Sequence, residues 1–180
     1  MNRHMVRQML LVLGSAVILG VVAGLIWWRL AEPGQWEVRE NGIALTEEQS
    51  QGEFQVVAMF TLVGAIAALT WAVAVFRPFR ESGWQLVITV LIGSTLAAVV
   101  AWQVGMTVGP PEPATVSGLA VGDVLPDRLA VYGIAPFLVW PIAAMIGVLL
   151  ATWGMGRADP DADYERETNA TAAPVIDTRS

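Results

Sequence analysis

The sequence has no cysteine and no lysine, and its single histidine is His4, near the start. Without cysteine there can be no disulfide, thiolate metal site or CxxC redox pair. One histidine at the edge of the chain cannot build a haem pocket, a histidine metal centre or a Ser-His-Asp triad. Charge is scarce too. Only 14% of the 180 residues are charged, against about 25% in soluble domains. The basic residues, ten in all, are arginines and the formal net charge is −6, so a nucleic-acid partner has no basic surface to meet. These absences leave no catalytic, cofactor-binding or metal-ligating constellation, and the chain reads as a non-enzyme.

What is present is apolar: 55% hydrophobic residues and a mean hydropathy of +0.57. Four runs carry no charge at all: residues 9–28, 54–76, 84–108 and 130–153. Each holds 20 or more residues, and about 20 residues rising about 1.5 Å each cross a hydrocarbon core of about 30 Å. In lipid every backbone group needs an internal partner, so these runs are helices. The expected fold is an all-α membrane protein of four transmembrane helices arranged as two helical hairpins. The first run is too long for the h-region of a signal peptide. It also ends at Trp27-Trp28-Arg29 without a small-residue cleavage site, so it reads as an uncleaved span.

Arginine placement orients the spans. Arg3, Arg7, Arg77, Arg80 and Arg157 fall on one side, Arg29, Arg39 and Arg128 on the other. The richer side is read as cytoplasmic. The expected layout is a multi-pass protein of the cell membrane with cytoplasmic segments 1–8, 77–83 and 154–180, and with outside loops 29–53 and 109–129. Trp27, Trp28, Trp84 and Trp153 stand at span ends, where amphipathic rings favour the interface. The tail 154–180 is acidic, rich in Ala, Thr and Pro, and poor in aromatics, which predicts disorder. Its Asp159, Asp161 and Asp163 open like an EF-hand loop, but Tyr164 replaces the turn glycine and Ala170 the bidentate glutamate.

The outside loops carry strand signals. Asn41-Gly42 is a favoured hairpin turn, flanked by "QWEVRE" and "IAL". "ATVSGLAVGD" (114–123) can add a strand, giving a small extracytoplasmic β-cap over the helices. Thr46 and Gln49 have capping-box spacing ahead of the second span. Glu37, Arg39, Asp123, Asp127 and Arg128 are the charges that could converge there, yet no carboxylate pair has the spacing of general acid–base catalysis.

Small residues recur at helical spacing inside the spans: Gly20 and Gly24, then Gly93, Ala97, Ala101 and Gly105, then Ala143, Gly147 and Ala151. Helices in lipid associate by close backbone approach over such ribbons. The ribbons are therefore candidates for packing within the bundle or for docking a partner span. Gln103 is the polar span residue singled out, because an amide is hard to satisfy inside lipid, and no Asp, Glu, Arg or His lies in any span. In the fourth run, Pro136 and Pro141 remove two backbone donors. Pro136 sits early enough to be tolerated, whereas Pro141 predicts a kink and a freed Phe137 carbonyl.

The motifs "VVAGLIWW", "AEPG", "AWQVGMTVGPP", "VGDVLPDRL" and "FLVWPIAAM" resemble those of a group of actinobacterial four-span membrane proteins catalogued as a domain of unknown function. The resemblance covers residues 9–153, and arginine without lysine fits a GC-rich coding sequence. It implies a cell-membrane location and carries no activity with it. Two functions follow as expectations. One is an accessory or scaffolding component of a cell-envelope complex, in contact with membrane lipid and with another membrane protein or a second copy of itself. The other is a small transporter or channel subunit that forms its path by oligomerisation.

Overall fold

The computed structural model describes residues 3–39, 42–45, 48–79, 83–111 and 122–156. Four helices dominate: α1 (Arg3–Leu30), α2 (Glu48–Phe79), α3 (Trp84–Val108) and α4 (Ala135–Gly156). Each contains a segment long and apolar enough to cross a bilayer: Val6–Leu30, Gly52–Phe79, Trp84–Val108 and Ala135–Gly154. The chain is a multi-pass membrane protein with four transmembrane helices. The acidic tail, the Thr46 cap, Arg80 and most of "ATVSGLAVGD" lie outside the described residues.

Local chemistry sets the helix ends. α1 stops ahead of Pro33, which disfavours helical backbone in the residue before it. Gly83, at φ 58°, turns the chain into α3. The fourth span begins at Ala135, five residues later than the apolar run suggests. Gly133, at φ 83°, holds a left-handed conformation that ends any approach helix. Pro136 then lies in the first turn, where its missing N–H is one that no helix satisfies. α4 continues through Pro141 to Gly156.

The packing follows chain direction rather than chain neighbourhood. α1 lies chiefly on α3 and α2 on α4, with α3 against α4 as the next seam. The two hairpins thus stack on each other more than each closes on itself. Along the first seam Ala16 meets Gly93, Gly20 meets Ala97 and Gly24 meets Ala101. These pairs run in the same direction and at a constant sequence separation.

Between the helices the outer segments form a three-stranded antiparallel sheet, β1 (Gln35–Arg39), β2 (Gly42–Leu45) and β3 (Val124–Pro126), in the order β2-β1-β3. Arg39 pairs with Gly42; Asn41 of the expected Asn41-Gly42 turn lies outside the described residues. This register sets Trp36 opposite Leu45 and Val38 opposite Ile43. The third strand is "VLP", immediately after the stretch expected to supply it, and Leu125 pairs with Trp36.

Candidate functional site

The interior of the bundle is built from tryptophans seated on glycines. Trp27 of α1 lies on Gly105 of α3, where an added Cβ would fall 2.3 Å from its ring. Trp71 of α2 lies against Gly93 of α3, and Trp140 of α4 against Gly64 of α2. A glycine offers the flat bed that a bulky indole needs to enter between two close helices. Trp27 and Trp140 are fully buried with Phe60. The Phe60 centroid stands 5.1 Å from Trp27, 5.3 Å from Phe137 and 5.6 Å from Trp140, and Trp102 stands edge-on to Phe137 at 5.9 Å. Such tilted and edge-to-face pairs add to the area that the rings bury.

Trp27 therefore departs from its expected interfacial position. Trp84 and Trp153 are exposed at span ends, and Trp28 packs beneath the Arg29 guanidinium at 4.9 Å. Trp27 differs because it faces the glycine of α3 and has a buried partner for its polar edge. Its indole N–H donates to the Val56 carbonyl at 2.9 Å. Trp71 donates to Ser15 Oγ at 3.0 Å, and Ser15 in turn donates to the Val12 carbonyl. The indole N–H groups of Trp102 and Trp140 are buried without a protein acceptor.

The predicted packing residues all turn inward. Gly20 and Gly24 face the backbone carbonyls of Ala97 and Ala101, at 2.7 Å and 2.6 Å from where a Cβ would stand. Ala97 and Ala101 are fully buried. Gly93 and Gly105 hold indoles, and Gly147 meets the Leu69 carbonyl of α2 at 2.6 Å on the same measure. Gly20, Gly24, Gly93 and Gly105 are turned into the bundle, whereas Ala143, Gly147 and Ala151 follow the α2/α4 seam. What sequence reasoning missed was the role of Trp71. An indole in the middle of an apolar span gains from a hydrogen-bond acceptor for its N–H, and that was a readable signal.

Polar groups in the spans are used up locally. The hydroxyls of Ser15, Thr61, Thr70, Thr89, Ser94, Thr95, Thr107 and Thr152 each donate to a carbonyl of their own helix, at 2.7 to 3.0 Å. Among the described residues no hydroxyl reaches the Phe137 carbonyl that Pro141 leaves without a backbone donor. Gln103 is exposed on the outward side of α3. Pro136 and Pro141 are both buried.

At one end of the bundle the sheet is fastened to the helices. Asp127 N–H donates to the Gly34 carbonyl at 2.8 Å, and Gly52 of α2 lies so near Gly34 that a Cβ would be 2.5 Å from its nitrogen. Glu37 and Arg39 lie on β1, while Asp123, Asp127 and Arg128 flank β3. The space left between Pro33, Gly34, Glu53, Asp127, Arg128 and Tyr132 is about 10 Å³, room for no more than one water. Among the described residues that space is a clamp. Among the described residues no group of three His, Cys, Asp or Glu could hold a metal ion.

No family model matches the chain, and no curated protein or solved structure is significantly similar to it.

Proposed function

We propose that this chain is a non-enzymatic accessory or scaffolding component of a cell-envelope membrane complex. It sits in the cytoplasmic membrane, as its resemblance to actinobacterial four-span proteins implies, and the placement of its arginines puts both termini inside. The observation that carries this reading is the close packing of the bundle: every span hydroxyl bonds its own helix, Gly64, Gly93 and Gly105 seat indoles, and Gly20, Gly24 and Gly147 meet backbone. A carrier or channel keeps polar or ionisable groups available to a solute along its path. A rigid bundle with a sheet clamped to one end instead suits holding a partner in place.

The test is cross-linking in cells, followed by mild-detergent purification and identification of the chains recovered. The expected result is a defined membrane protein recovered at reproducible stoichiometry. Repeated recovery of this chain alone after cross-linking would remove the reading. Solute or ion flux in proteoliposomes would favour the transporter or channel subunit instead. For orientation, a reporter active only outside the cytoplasm and fused after residue 165 should stay silent.

A further inference from the structure

Two cavities lie in line on the outward side of the α2/α4 seam. The first, about 360 Å³, is lined by Ile66, Leu69, Thr70, Ile142, Ala143 and Ile146, among others. The second, about 290 Å³, is lined by Val73, Arg77, Leu150, Ala151 and Gly154. Residues 66, 70, 73 and 77 follow one face of α2, and 142, 146, 150 and 154 follow one face of α4. The groove exists because Gly147 draws the helices together at its floor while exposed Ile66, Ile142, Ile146 and Leu150 stand up as rims. From residue 66 to residue 77 it runs about 17 Å, close to the depth of one leaflet, half of a core of about 30 Å.

Its chemistry is one-sided. The Thr70 hydroxyl is spent on the Ile66 and Ala67 carbonyls, so the walls offer an occupant only apolar contact. At one end stands Arg77, exposed at the membrane boundary, and no described carboxylate pairs with it. An apolar slot one leaflet deep with one cation at its mouth among the described residues matches an acyl chain joined to a phosphate. We infer that the α2/α4 groove seats one anionic phospholipid, with an acyl chain along Ile66–Gly154 and the headgroup phosphate on the Arg77 guanidinium. The proposal rests on the membrane location alone and not on the scaffolding role. Basic positions beside spans recognise anionic headgroups in this way.

The experiment is native mass spectrometry of the full chain in detergent, titrated with dioleoyl-phosphatidylglycerol or dioleoyl-phosphatidylcholine. Wild-type protein should bind one phosphatidylglycerol more tightly than phosphatidylcholine. Arg77→Gln should erase that preference, a loss of about fivefold. Gly154→Leu should weaken both lipids, because a Cβ at 154 meets nothing within 4 Å and the new side chain fills the groove without a clash. Arg7→Gln, which does not line the groove, should leave both titrations unchanged. Equal binding of the two lipids by wild-type protein would overturn the proposal, as would binding unaffected by both groove variants. So would efficient disulfide cross-linking of Ile146→Cys between two copies in a bilayer, since protein would then occupy the groove. The chain has no native cysteine to confuse that result.

Discussion

Gly64→Ala is the sharpest test of the core. A Cβ at position 64 would lie 2.1 Å from Trp140 Nε1 and 2.3 Å from its Cε2, where ordinary contact begins at 3.4 Å. The indole would have to retreat by more than an ångström. It has little room, being fully buried with Phe60 on one side, on a helix already drawn against α2 at Gly147. Overpacking of this kind costs about 1–3 kcal/mol, and the size of the overlap places it near the upper bound. Alanine in place of glycine returns about 1 kcal/mol of helix propensity. The net expectation is a loss of about 2 kcal/mol. Gly14→Ala is the matched control, since nothing lies within 4 Å of its added Cβ. It should be neutral or stabilising by up to about 1 kcal/mol. The two identical substitutions should therefore differ by about 3 kcal/mol, roughly a hundredfold in the folding equilibrium. Reversible unfolding in mixed micelles, followed by circular dichroism, measures both. Trp140→Leu should largely cancel the effect of Gly64→Ala, a coupling that a double-mutant cycle reads directly. Equal stability of the Gly64→Ala and Gly14→Ala proteins would refute the seating of Trp140 on Gly64.

The same unfolding assay checks three further expectations. Trp27→Phe and Trp140→Phe delete similar ring area, but only Trp27 gives up a buried hydrogen bond, so Trp27→Phe should cost about 1 kcal/mol more. Gly147→Leu should separate α2 from α4, because even a Cβ would meet the Leu69 carbonyl at 2.6 Å; a loss above about 3 kcal/mol or failure to accumulate in the membrane is expected. Gln103→Leu, on the outward side of α3, should stay within about 0.5 kcal/mol of wild type, and a larger loss would mean that the amide has a partner inside the bundle.

The number, length and helical character of the spans were legible in the sequence, because crossing a bilayer is decided by the apolar content of one continuous segment. Residues 84–108 matched α3 to the residue. The glycine and alanine ribbons were legible as packing surfaces for a similar reason, since a period of three to four is written locally. The late start of α4 was partly legible: Gly133 and Pro136 together carry the signal, and hydropathy alone hides it. Which ribbon meets which helix was not legible. Gly93 and Gly105 look the same in sequence as Gly20 and Gly24, yet they receive indoles while Gly20 and Gly24 receive backbone. That choice depends on where Trp27 and Trp71 arrive from other helices. The stacking of α1 on α3 and α2 on α4 has the same origin. Lipid supplies no hydrophobic drive between helices, so shape matching between distant segments selects the partners, and that match exists only once all four helices are in place.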